Sequence, residues 1–339
     1  MSEASEMADQ TLISWADMTF NPWVGCTRVS PACDGCYAAH LMETRMGRVK
    51  WGGPGVGSGT RERTSAANWR KPIAWNKKAA ADGRRPFVFC SSLADVFDNE
   101  VPADWRFDLF TLIEATPNLV WLLLTKRPQN IVKMVKAVGF MPKNIAFGTT
   151  IEDRERATKN LASLVVAAGL RPLFLFASCE PLLGDLGDLS PWMTGDPHTQ
   201  RRLEGERFER GIKIGADGWA KLPAVGWWIT GGETDQGSHK ARPTHPDWFR
   251  NIRDQALAHG LAYHHKQNGE WIAATEEHEY DTSRGNAGKP PAFIVATDGT
   301  VHCFDNKHAV GGIPMIKIGK KLSGRELDGV THDAFPEVA

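Results

Sequence analysis

Apolar residues along this chain gather into short, nearly continuous runs instead of alternating with polar ones. The runs are PFVFC at 86–90, LVWLLL at 119–124, NIAFGT at 144–149, PLFLFA at 172–177, VGWWIT at 225–230 and LAYHH at 261–265. Runs of this length predict strands covered on both faces, as in a parallel sheet. A weaker candidate for a first strand lies in 12–20. Between the runs the period changes to that of a helix. Residues 102–116 carry Trp105, Phe107, Leu109, Phe110 and Ile113 on a loose helical period and stop at Pro117. Residues 152–168 open with acidic residues and end at Gly169, and residues 246–260 begin with Pro and end with Gly. Strand and helix alternate about six times, which predicts an α/β fold, a partial TIM-like (βα) barrel of about six or seven parallel strands. The competing doubly wound sheet would carry a glycine-rich phosphate loop after a strand, and no run here is followed by one.

Three segments break the repeat. Residues 48–66 are rich in Gly and Ser and read as a mobile loop, and residues 185–220 are polar and read as an insertion. In 291–320, AFIVAT, Asp298-Gly299 and TVHCF read as a hairpin closed by a two-residue turn. The expected organisation is a barrel over 1–290, with a small C-terminal hairpin and tail over 291–339 packed on it.

Composition narrows the setting. The 339 residues contain 40 Lys plus Arg and 40 Asp plus Glu, so no general basic excess points to nucleic acid, while a local patch stays open. No run of apolar residues is long enough for a membrane span. The opening MSEASEMADQ lacks the basic and apolar regions of a signal peptide, so a cytoplasmic location with reduced thiols is expected.

Three of the six cysteines, Cys26, Cys33 and Cys36, crowd into one short stretch. Three thiolates do not complete a structural zinc site, so either a fourth ligand exists or one position is open. His40, four residues after Cys36, would complete a Cys₃His zinc site in a non-redox binding or accessory protein. A [4Fe-4S] cluster with one open iron is the other reading. Spacing alone does not choose between them. Cys90, Cys179 and Cys303 read as buried small hydrophobes.

The stretch TFNPWVGCTRVSPACDGCYA resembles the opening of a phage-associated family of uncharacterised function related to the radical S-adenosylmethionine (SAM) enzymes. FCSSLADVF (89–97), LLLTKRP (122–128), FGTTIED (147–153), SCEPLLG (178–184), WWITGGE (227–233), ARP (241–243), HHKQNGEW (264–271) and a late LDG…AFP follow in the same order. The resemblance implies a [4Fe-4S] cluster on Cys26, Cys33 and Cys36, with the amino and carboxylate groups of SAM on the open iron. It also implies cleavage of SAM to a 5′-deoxyadenosyl radical and an electron donor such as flavodoxin or ferredoxin. A nucleobase or nucleic acid, for modification or repair, is one expected substrate, and a free nucleotide, a peptide or a small metabolite fits as well. Two departures stand out. The first cysteine gap is six residues where three are usual, and Gly35 stands where an aromatic often packs near adenine, with Tyr37 on the other side as the substitute candidate.

Independently of any family, each landmark sets polar residues directly after an apolar run, which in a βα barrel is the face where active sites form. The candidates for cofactor contact are Tyr37, Ser91, Ser92, Lys126, Arg127, Thr149, Glu152, Ser178, Glu180, Gly231, Gly232, Glu233, Lys266 and Gln267. Some polar residues here have a plainer reading: Thr150 with Asp153, and Asp95, read as helix starts. Lys126 and Arg127 need an anionic partner, which a SAM carboxylate, a phosphate, Glu180 or Glu233 would supply. Gly231 and Gly232 allow a ligand close to the backbone, and Glu233 reads as an acceptor for a ribose or an ammonium group. Cys179 and Cys90 are the candidates for a hydrogen-atom donor. Trp227 and Trp228 must face opposite ways, and core packing is their default.

Overall fold

The computed structural model describes residues 11–194, 225–275, 277–278, 292–302 and 310–338. Its centre is one sheet of seven parallel strands in chain order. They are β1 (Met18–Thr19), β2 (Phe87–Cys90), β3 (Val120–Thr125), β4 (Ile145–Thr150), β5 (Leu175–Cys179), β6 (Trp227–Gly231) and β7 (Ala262–Gln267). The sheet curls into a half barrel. Phe87 at one side lies 6.0 Å from Trp227, four strands away, and Trp15 touches both Phe89 and Trp227.

The continuous runs follow from burial on both faces. Phe89, Val120, Leu122, Ala146, Phe176, Trp227 and Ile229 face inward. Their neighbours Val88, Cys90, Trp121, Leu123, Phe147, Cys179 and Trp228 face outward, against the helices. Those helices are α1 (Ala66–Asp82), α2 (Ala103–Glu114), α3 (Ile131–Val138), α4 (Arg154–Val166) and α5 (Pro246–Ala258). The adjacent Trp227 and Trp228 do split between the two faces, and both are packed as core.

Several expectations change in detail. The fifth strand starts at Leu175, later than its apolar run. The helix after β4 is capped by Asp153, whose Oδ1 accepts the Arg156 N–H at 2.8 Å, and it passes into a 3₁₀ turn, Ala167–Leu170, that Arg171 closes in the left-handed region. Gly169 is therefore not its terminator. Asp95 caps no helix; it is buried and holds the chain after β3. Segment 48–66 is not a bare loop: Trp51–Gly53 and Gly57–Gly59 pair as an antiparallel hairpin, and Glu62–Arg63 pairs with Trp23–Val24. Glycine serves close backbone approach there, since a Cβ on Gly52 would collide with the Ser58 carbonyl and the Thr27 hydroxyl.

Of the expected insertion, 185–194 is described and ends in a helix, Ser190–Thr194, that buries Trp192 and Met193; the rest lies outside the described residues. The C-terminal appendage is a four-stranded antiparallel sheet of β8 (Trp271–Ala273), β9 (Ala292–Val295), β10 (Val301–His302) and β11 (Ile313–Lys317), in the order β8-β11-β9-β10. Its hairpin closes with a three-residue loop, not two: the Ala296 N–H donates to the Thr300 carbonyl at 3.0 Å, and Gly299 takes φ +89°. Cys303 lies outside the described residues. Among the described residues no helix is long and apolar enough to cross a membrane.

Candidate functional site

The lower part of the half-barrel interior is filled by Trp15, Phe87, Phe89, Phe174, Phe176 and Trp227, with Phe335 5.3 Å from Trp227 across the bottom. Toward the C-terminal strand ends the same inward positions become polar. They wall a cavity of about 850 Å³ lined by Ser91, Lys126, Thr150, Ser178, Glu180 and Lys266. The segment after β1 supplies the opposite wall, and Cys26, Cys33 and Cys36 all line it.

The cysteine segment is pinned from several strands. Cys33 ends a 3₁₀ turn, Pro31–Cys33, and Cys36 is the N-cap residue of the short helix Tyr37–Ala39. Glu152, beyond β4, accepts the Ala32 N–H at 3.3 Å. Arg242, beyond β6, donates to the Pro31 carbonyl at 3.0 Å and to Asp34 at 3.3 Å. Arg127, beyond β3, donates to the Thr27 carbonyl at 2.7 Å and to Cys26 Sγ at 3.5 Å. Gly25 fits here because a side chain would strike the Thr60 carbonyl.

His40 does not join the cysteines. Its ring lies against Gly237, 2.7 Å from where a Cβ would stand, and it is absent from the cavity wall. Among the described residues no three His, Cys, Asp or Glu side chains stand where one ion could hold them. That arrangement is unlike the tight tetrahedron a Cys₃His zinc site needs. A four-iron cluster takes each thiolate on a different iron, so its ligand thiols need to share a cavity, and Cys26, Cys33 and Cys36 do so.

The surrounding charges also fit an anionic group. Arg61 and Arg127 carry buried side chains paired with two buried carboxylates, Asp95 and Asp98, and the buried Arg106 guanidinium adjoins them, donating to the Val96 and Asp98 carbonyls. Arg127 pairs with Asp95 at 2.9 Å and Arg61 with Asp98 at 2.5 Å. Burial alone would depress Arg127, but Asp95 and Cys26 outweigh it and raise its pKa. Its neighbour Lys126 points into the cavity and has no carboxylate within ion-pair distance among the described residues. Burial would lower the Lys126 pKa, and the thiols of Cys33 and Cys36 with Glu152 and Cys26 reverse the sign. Burial pushes the free Cys26 thiol up to about 12, with Arg127 pulling it back in part, and it raises Cys36 too. An electrophilic metal would overcome that burial by taking the thiolate form.

The structure redistributes the other candidates. Glu180 lines the cavity and accepts from Lys266 at 2.7 Å and Gln267 at 3.0 Å, so it is not the partner of Lys126 or Arg127. Gly231 leaves room for that carboxylate, since a Cβ there would stand 2.9 Å from Glu180 Cδ, and Gly232 leaves room for the Asn268 backbone. Gly232 nonetheless lines the cavity, whereas Gly231 does not. Glu233 is also committed: both oxygens take Arg242, and His239 Nε2 lies 3.1 Å away. Burial would raise its pKa, but the Arg242 hydrogen bonds hold it below the ordinary carboxylate value. These same groups explain Gly35, where a Cβ would stand 2.6 Å from the His239 ring and 3.0 Å from Glu233.

Thr149 is buried away from the cavity and donates to the Thr125 carbonyl, whereas Thr150 reaches the cavity wall. Glu152 is a strap and not a cavity residue, with its second oxygen buried and unpartnered. Ser92 is held by Asn21, while the Ser91 hydroxyl is buried at the cavity wall without a partner. Tyr37 lines the mouth and is half exposed. Cys90 and Cys179 face the helices, fully buried, and burial raises both thiols well above the usual range; neither reaches the cavity. Their reading as hydrogen-atom donors is thereby corrected.

Sequence reasoning missed Arg242, Arg61, Asp98 and His239. Arg242 stood inside the ARP landmark without a role, and its contacts with the cysteine segment lie more than 200 residues away along the chain. A count of charges in the apolar neighbourhood of 95–106 would have flagged Asp98 and Arg106.

A family model described as protein of unknown function (DUF5131) matches residues 10–336, and the chain belongs to that family. No curated protein and no solved structure matches it.

Proposed function

We propose that the chain is a radical SAM enzyme in which Cys26, Cys33 and Cys36 hold a [4Fe-4S] cluster and leave one iron open for SAM. One observation carries this reading: three thiols of a single pinned segment share the cavity at the C-terminal end of a parallel half barrel, while the candidate fourth ligand, His40, packs elsewhere. When bound, cluster and SAM supply one-electron cleavage to methionine and a 5′-deoxyadenosyl radical, which takes a hydrogen atom from the substrate. The chain's own residues provide the setting. Lys126 offers a cation to the thiolates and to a carboxylate beside them. Ser91 presents a free buried hydroxyl, and Glu180, held by Lys266, presents an oriented acceptor. The aromatic layer below keeps water from entering through the floor. A cavity of about 850 Å³ lies at the upper end of small-molecule sites and accommodates a second reactant beside SAM. In this proposal the second reactant is a nucleobase or a nucleic-acid strand, in keeping with the phage association and radical SAM kinship that the motifs suggest, and the electron comes from a flavodoxin- or ferredoxin-type carrier.

Anaerobic purification, metal analysis and reduction with SAM test the reading. Incorporation of about four irons per chain and formation of 5′-deoxyadenosine are expected, both lost in Cys26→Ser, Cys33→Ser and Cys36→Ser. One tightly held zinc that is lost in His40→Ala, with no SAM cleavage, would overturn it in favour of a non-redox accessory protein.

A further inference from the structure

We infer, building on that reading, that Arg127 is a positioning residue that sets the reduction potential of the iron–sulfur centre through its hydrogen bond to Cys26. Four observations meet here. Arg127 Nη1 is 3.5 Å from Cys26 Sγ and 2.9 Å from Asp95. Its Nη2 donates to the Thr27 carbonyl at 2.7 Å, so the guanidinium grips the residue after the ligand as well. Its backbone N–H donates to the Thr125 hydroxyl at 2.8 Å, and that hydroxyl donates to Asp95 at 2.7 Å. The side chain is only 5% exposed, so its charge acts through little water.

A fixed cationic donor to a ligand sulfur draws charge from the thiolate and favours the more negative, reduced form of the centre, which raises its potential. Arg61 supplies the internal contrast. It is equally buried, binds the same acidic pair through Asp98, and contacts Thr27 Oγ1 at 2.7 Å, yet no cysteine accepts from it. The two arginines thus stabilise one loop, and only Arg127 touches a thiol.

The experiment is a potentiometric titration of the reconstituted full-length protein, followed by the electron paramagnetic resonance signal of the reduced centre. Arg127→Lys keeps a cation but cannot hold Asp95, Thr27 and Cys26 together. It is expected to bind wild-type iron and to move the potential negative by at least 59 mV, a tenfold change for one electron. Arg61→Lys is expected to leave the potential in place. An unmoved potential in Arg127→Lys, or an equal shift in Arg61→Lys, overturns the inference and leaves the proposed function standing. Wild-type protein that takes up no four-iron centre overturns both. If Arg127→Lys does not fold, the pair Asp95→Asn/Arg127→Gln removes both charges together, and the same negative shift is required of it.

Discussion

At the bottom of the half barrel the inward positions of the strands and their flanks carry Phe87, Val120, Ala146, Phe174 and Ala262; four to six residues further along, the same faces carry Ser91, Lys126, Thr150, Ser178 and Lys266. Along the strands both levels follow the same alternation of the pleat. What differs is the bargain with water. The lower level removes aromatic surface from solvent and fixes the curl of the sheet. The upper level leaves the Ser91 hydroxyl and Lys126 without internal partners among the described residues, a state that lowers stability and that a ligand would relieve. Stability and chemistry are thus separated by height in one interior, and substitutions at the two levels should have opposite profiles.

The strongest contrast is Trp227→Ala against Lys126→Met. Removing the tryptophan from its ring of aromatics should cost about 3–5 kcal/mol, read as a lower urea midpoint, whereas Lys126→Met should leave that midpoint unchanged or raise it while 5′-deoxyadenosine formation is lost. A fall for both would mean that the upper level is also structural.

Next in size is pH. His264 and His265 in β7 are fully buried, and burial lowers both to about 4 from an ordinary 6.5. A depressed folded value means the unfolded chain takes up protons first. The stabilisation is complete above pH 6.5 and drains away as the pH falls through 4, by about 2–3 kcal/mol for each histidine. Thermal melts from pH 7 to pH 4 should show this loss, and it should shrink in His265→Gln. A flat profile would remove the argument.

The smallest effect belongs to the outward cysteines. Cys90→Ala and Cys179→Ala should each cost about 1 kcal/mol and leave iron content and SAM cleavage unchanged, unlike any substitution in the 26–36 segment. Loss of activity with retained iron in either variant would return a thiol to the chemistry.

These contrasts also mark how far the sequence could be read. The strands were legible because burial on both faces leaves continuous runs, and their order follows from alternation with helices. The polar strand ends were legible from their place after those runs, and the cysteine segment from the crowding of three thiols in one stretch. A single position was harder. Thr149 and Thr150, or Cys90 and Ser91, are neighbours whose roles depend on where the pleat begins, and no local pattern fixes that phase. The glycines misled in both directions: those in 48–66 shape a packed hairpin, and Gly231 and Gly232 make way for protein atoms. Partners distant along the chain were out of reach. Arg242 to Pro31, Glu152 to Ala32 and Arg127 to Cys26 are pairs made by the curled sheet, and no spacing announces them.

The pins on the cysteine segment bear on the life of the molecule after folding. A zinc finger collapses when its metal leaves, because the metal is its core. Here Glu152, Arg127 and Arg242 hold the segment through bonds that involve no metal, and the aromatic floor stands beneath it. In the proposed enzyme, oxidative loss of the inorganic centre would strip activity from a chain that keeps its shape. Such a chain would be a reusable mould, refilled in place without passing through the unfolded state where proteases would find it.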